Sequence, residues 1–217
     1  MKPMSRRGAA AALLAPFLPL MLAACGSSHD DDAPTMKVTE LAAGAYAVST
    51  GDAASPVDGK YYAGADGSRL LVLNNSDQAA AALYRRDGNG PWRGTPAADA
   101  DTVVDLTGNN TIAASTPGVA SVAGRYEVRL ASGAAAAFSV GAGGDIVPGT
   151  TACRLSGKVA ASTLPNTLKL TLATAGCGDL PAGVEGYLVI DADYAPAAFR
   201  LLGTGGTAPL DLWAYPG

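Results

Sequence analysis

From Tyr46 onward the apolar positions fall in short runs separated by glycine-rich, polar breaks, the spacing of strands and turns. "KYYAGADGSRLLVLNN" places Asp66-Gly67 between two apolar runs, a strong hairpin signal. "GRYEVRLASGAAAAFSV" repeats the design with Ser132-Gly133 at the turn, and "EGYLVIDADYAPAAFRLL" repeats it again. Each unit begins with glycine and then tyrosine, at Tyr61, Tyr126 and Tyr187, which predicts a degenerate hairpin repeat with its tyrosines at matching places. "TVVDLT", "CRLSGKVA", "TLKLTLA" and "LDLWAY" supply further strands. "SDQAAAALYRR" reads as a strand, the alternative being a short helix capped by Ser76 or Asp77. Roughly ten to twelve strands follow, in a single antiparallel meander. The expected fold is all-β: a closed or nearly closed β-barrel, with a β-sandwich as the alternative.

One hairpin constrains its own register. In "TLKLTLA", Leu168, Leu170 and Leu172 share a face; in "CRLSGKVA", Cys153, Leu155 and Val159 share one. Facing apolar with apolar requires paired positions whose numbers sum to an odd value, because a one-residue slip flips every side chain. Cys153 directly opposite Cys177 would give an even sum. A disulfide between them therefore requires a bulge or strand exit at "ATAGCG", where Gly176 and Gly178 permit it.

The first residues have a different pattern. "MKPMSRRG" is basic, and Ala9 to Leu22 carries no charge, the layout of an export signal. Pro16 and Pro19 are poorly suited to a spanning helix. The following "LAAC" resembles the lipobox of bacterial lipoproteins, whose cysteine is diacylated and becomes the first residue after cleavage. The resemblance implies residues 1–24 as signal peptide, Cys25 as the lipidated residue and a membrane anchored through that lipid. Gly26, in place of an aspartate that would resemble an inner-membrane retention signal, points to the outer membrane, with a periplasmic or surface-facing domain. "SRR" leaves a twin-arginine route open beside the general one. "GSSHDDDAPT" reads as a flexible acidic tether over residues 25–36, followed by a globular domain over 37–217.

Composition narrows the chemistry. The 217-residue chain has a formal net charge of −4. All three charges in the signal are basic, so the mature chain carries 12 basic against 19 acidic residues, a net −7. An acidic chain without a basic run argues against nucleic acid. The single histidine, His29, lies in the tether, which excludes a serine–histidine nucleophile and a histidine-rich zinc site. With Cys25 lipidated, Cys153 and Cys177 are expected to form a disulfide in an exported chain. No P-loop or dinucleotide fingerprint follows a strand, and "GTGGT" reads as a turn. Two carboxylate groups remain: Asp191 with Asp193, and Asp99 with Asp101 and Asp105. Aspartates at a hairpin turn serve backbone geometry, so Asp191 and Asp193 are weak metal candidates. Trp92 and Trp213 read as core or barrel-end plugs. No catalytic residue, metal or cofactor is assigned.

The stretch from Phe138 to Cys177 resembles a module of uncharacterised proteobacterial lipoproteins: a strand, a Gly-x-Ile-x-Gly-like turn, a cysteine opening a Ser-Gly-x-Val strand and a second cysteine after the next strand. Pro148 departs from that turn pattern. The resemblance implies a small antiparallel barrel and no defined chemistry. The expected function is a lipid-anchored envelope protein whose non-catalytic β module binds a partner or small ligand or has a structural role. The alternative is a periplasmic hydrolase using acidic residues in a barrel mouth; a lumen filled with Leu and Val would favour the former.

Overall fold

The computed structural model describes residues 34–217. Cys25, His29 and the signal peptide lie outside the described residues. β1 (Met36–Val38) starts one position before the boundary expected for the tether. It is followed by β2 (Gly44–Asp52), β3 (Ser55–Ala63), β4 (Arg69–Asn74), β5 (Ala80–Arg86), β6 (Arg93–Thr95), β7 (Thr102–Val104) and β8 (Leu106–Ile112). Strands β2 to β6 form an antiparallel meander, and β8 returns to pair with β2, giving a six-stranded open sheet. β1 and β7 pair in parallel, a departure from the all-antiparallel expectation.

The closed barrel belongs to the second half alone. Its strands are β9 (Gly124–Arg129), β10 (Ala135–Val140), β11 (Asp145–Pro148), β12 (Arg154–Ala161), β13 (Thr167–Ala175), β14 (Gly183–Val189), β15 (Phe199–Thr204) and β16 (Leu210–Pro216). Each pairs antiparallel with its neighbour in sequence, and β16 pairs back onto β9. Closure removes the free edges that an open sheet must protect.

Barrel strands alternate, as a wall with a dry inside requires. In β13, Leu168, Leu170 and Leu172 are buried while Lys169 and Thr171 are exposed. One apolar cluster takes inward residues from all eight strands, including Val128, Phe138, Ile146, Leu155, Leu170, Leu188, Leu201 and Leu212. Gly157 and Gly186 stand opposite Leu172 and Leu170. A Cβ on either would lie 2.0 Å from a carbonyl oxygen of the next strand, so only glycine fits there.

The predicted register holds. Leu155 pairs with Thr174 and Val159 with Leu170, both odd sums, and β13 ends at Ala175. Gly176 and Gly178, at φ +68° and +64°, turn the chain so that Cys177 reaches Cys153. The two are disulfide-bonded with α-carbons 4.4 Å apart. "SDQAAAALYRR" supplies strand β5, and Asp66-Gly67 and Ser132-Gly133 lie at hairpin turns, as expected.

Tyr61, Tyr126 and Tyr187 do not occupy matching places. Tyr61 lies on one face of the open sheet, Tyr126 among the residues filling the barrel, and Tyr187 on the barrel's outer wall. The matching pair is Tyr46 and Tyr126, each opening the first long strand of its half. The Tyr46 hydroxyl donates to Ala42 O at 3.1 Å and that of Tyr126 to Val122 O at 3.0 Å. In both, the ring lies over the glycine two residues earlier, Gly44 or Gly124. Cross-strand partners match as well: Tyr46 faces Tyr61, and Tyr126 faces Phe138. The open sheet is thus an incomplete counterpart of the barrel, its last strand (β8) pairing with its first as β16 does with β9.

That sheet is buried on both faces, which explains why "YYA" and "LLVL" are continuous apolar runs. Tyr46, Tyr61, Leu71 and Leu73 pack under Val38 and Val104 of the β1–β7 pair. Tyr62, Leu70, Val72 and Leu83 pack against Tyr187, Val189 and Leu202 on the barrel's outer wall.

Candidate functional site

Two ionic clusters sit at the seam between open sheet and barrel. Arg200 has no exposed surface, although it lies in the apolar strand "FRLLGT". Its neighbours Phe199 and Leu201 point inward, so Arg200 points out of the barrel and into the seam. Its Nε and Nη2 donate to Asp211 Oδ1 and Oδ2, both at 2.6 Å. Nη2 also donates to Asn74 Oδ1 and Gln78 O, each at 3.1 Å. Asp211 Oδ2 accepts from Ala80 N at 2.7 Å. One buried ion pair from β15 and β16 therefore secures the β4–β5 turn of the sheet. Burial opposes the guanidinium charge, but the Asp211 carboxylate more than offsets this and holds the Arg200 pKa above its ordinary value.

A second ionic contact crosses the seam. Lys60 Nζ donates to Asp193 Oδ2 at 2.5 Å and lies 3.2 Å from Asp191 Oδ2, the latter outside hydrogen-bonding alignment. Asp191 Oδ1 caps the backbone N–H of Asp193 at 3.0 Å. Burial works against the Lys60 charge, and the two carboxylates overcome it, raising its pKa. The structure thus brings Asp191 and Asp193 together around the Lys60 ammonium. The Tyr62 and Tyr194 hydroxyls meet at 3.4 Å within the same seam.

The other aspartate group does not converge. Asp101 accepts from Thr35 N at 2.8 Å and Thr35 Oγ1 at 2.9 Å, tying down the start of β1, while Asp99 and Asp105 are exposed. Among the described residues, no cluster of three or more histidine, cysteine or acidic side chains has metal-binding geometry. Trp92 leans on Tyr61 and donates from Nε1 to Glu40 at 3.3 Å, beneath the Arg86 guanidinium. Trp213 takes the core role and not that of a barrel-end plug: it packs against the seam cluster on the outer wall, with the Arg200 guanidinium 4.7 Å from its ring centre and Tyr194 edge-on at 5.0 Å.

The barrel interior is filled by side chains from all eight strands, the Tyr126 ring and the Cys153–Cys177 disulfide among them. Among the described residues the buried polar or charged side chains are Lys60, Ser68, Thr95, Asn166, Thr167 and Arg200. Depressions lie on the outside. One of about 720 Å³ runs along β16 and β9, lined by Asp77, Glu127, Arg129, Asp211, Trp213 and Tyr215. Another of about 490 Å³ continues across β9 and β10, lined by Arg125, Glu127, Ser139 and Gly217, among others. A hollow of about 550 Å³ on β12 to β15 has one charged residue, Glu185, and no aromatic lining.

Sequence reading missed Arg200–Asp211 and the β16–β9 wall. The available signal was one lone charge in each of two adjacent apolar strands, "FRLL" and "LDLW"; buried charges come paired. The chain matches no family model, no curated protein and no solved structure.

Proposed function

We propose that this chain is a lipid-anchored outer-membrane protein whose β module is non-catalytic and engages a partner or small ligand from its outer wall, or supports the envelope structurally. The observation that carries this reading is the barrel interior: its inward positions are filled by Leu, Val, Ile and Phe together with Tyr126 and the Cys153–Cys177 disulfide, and the buried residues, among those described, include no Asp or Glu. A hydrolase of the kind first considered needs two facing acids in an open barrel mouth. Asp191 and Asp193 instead share one ammonium at the seam. Lipid attachment rests on the basic start, the charge-free run and "LAAC" ending at Cys25. Two or three acyl chains would hold the protein firmly, since each buried methylene contributes about 0.8 kcal/mol. Mass spectrometry of the amino-terminal peptide from bacterial membranes, with membrane fractionation, tests the anchor. The expected result is a diacylated or triacylated Cys25 in the outer-membrane fraction. An unmodified terminus at another position, or release of the protein by a salt wash, refutes it.

A further inference from the structure

We infer that the outer wall formed by β16, β9 and β10 is a binding groove for an uncharged carbohydrate chain, a specific form of the ligand-binding reading above and dependent on it. The groove follows from strand register. Trp213 and Tyr215 alternate outward on β16, about 7 Å apart at the usual rise per residue. Tyr215 stands opposite Glu127, and the same register sets Trp213 opposite Arg129. On the far side of β9, Glu127 faces Ala137 and Arg125 faces Ser139, so the floor beyond the charged row is made of small side chains. The two depressions on this wall adjoin at Glu127, which lines both.

Three features select the ligand class. First, β16, β9 and β10 lie within a closed barrel, where each strand is paired on both sides. No free backbone edge is offered, so an extended peptide has nothing to add itself to, and recognition rests on side chains. Second, the aromatic platform is already fixed. Arg200 and Tyr194 hold the Trp213 ring from within the seam, and Tyr215 is 41% exposed. Such rings supply apolar contact area at small ordering cost. Third, Asp211 is spent on Arg200, which leaves Asp77 and Glu127 against Arg125 and Arg129, a local balance of zero on an otherwise acidic chain. That balance disfavours polyanions and polycations alike. It suits a ligand with many hydroxyls, which carboxylates and guanidinia bind by hydrogen bonding while sugar faces lie on the rings.

The test uses the purified full chain in mild detergent on an array of neutral and anionic oligosaccharides, followed by calorimetric titration of the best neutral member. The expected result is binding to neutral members that falls at least about tenfold in Tyr215→Ala and in Glu127→Ala, each with an unchanged melting temperature. No array binding, a preference for anionic members, or binding indifferent to both substitutions overturns the assignment. A photo-crosslinker at position 215 is applied in parallel to bacterial envelopes. A protein adduct there overturns the carbohydrate assignment and leaves a binding module standing; failure of both array and crosslinking overturns the groove and the binding reading together.

Discussion

Replacing Arg200 with methionine, at similar volume, isolates the energetics of the seam. The substitution removes two hydrogen bonds to Asp211, one each to Asn74 and Gln78, and the contact with Trp213. It leaves the Asp211 side chain, only 10% exposed, with Ala80 N as its remaining partner. Breaking one side of a buried pair costs about 3–5 kcal/mol, because the surviving charge stays desolvated. Against a total stability of about 5–15 kcal/mol, that is a large fraction. Removing both charges behaves differently: Arg200→Met with Asp211→Leu returns to within about 1–2 kcal/mol of the parent, since buried pairs are often replaced by apolar groups at little cost. Urea unfolding followed by circular dichroism, with slope compared across variants, measures each value. The exposed pair Lys158–Asp145 is the control, and Lys158→Ala should change stability by less than about 1 kcal/mol. A loss below about 1 kcal/mol in Arg200→Met refutes the reasoning, as does a double variant whose loss equals the sum of the two singles.

Replacing Cys153 and Cys177 with alanine should lower stability by about 2–4 kcal/mol while preserving the strand spectrum; unchanged stability in non-reducing denaturation contradicts a structural role. Gly186→Ala should cost more than about 2 kcal/mol, because the new Cβ meets Leu202 O at 2.0 Å inside a paired wall; a neutral effect in the same assay means the wall yields more easily than its packing implies. Burial raises the phenol pKa of Tyr61, Tyr84, Tyr126 and Tyr187 above the usual 10.0, and that of Tyr62 well above it. A raised folded-state value favours the protonated phenol, so this contribution is fully present below pH 10.0 and lost as pH rises beyond it. Ultraviolet titration should show these five ionising late and together with unfolding; ionisation of all tyrosines in one step near pH 10.0, with the fold intact, contradicts the burial account.

Much of the barrel was legible because its information is local. Alternation in "TLKLTLA" states which side is inside, and "CRLSGKVA" fixes the register against it by parity. The same parity located the strand exit at Gly176. Much of what stayed hidden depends on contacts between positions more than a hundred residues apart. Arg200 meets Asn74 across 126 positions and Lys60 meets Asp193 across 133. Nothing local in "KYYA" tells whether Tyr61 or Tyr62 faces the barrel, since both faces are buried and the run does not alternate. The tyrosine repeat failed for a related reason. Glycine followed by tyrosine is a common pairing at strand bends, and only the hydroxyl bond to the carbonyl four residues upstream separates Tyr46 and Tyr126 from the rest.

The difference between the two halves also decides which surface is left for function. The open sheet lacks the strands that would let it enclose its own core, so β1 and β7 cover one face and the barrel wall covers the other. On the barrel, Tyr187, Val189 and Leu202 are consumed by that packing. Arg200 and Asp211 are consumed by fixing the β4–β5 turn. β12 and β13 turn Arg154, Lys158, Lys169 and Thr171 outward, a solvated surface. The wall of β16, β9 and β10 presents an exposed Tyr215 and a half-buried Trp213 beside charges that the Arg200–Asp211 pair does not use. The seam fixes Trp213 from behind, so the packing that completes the incomplete sheet also orders the face beside it.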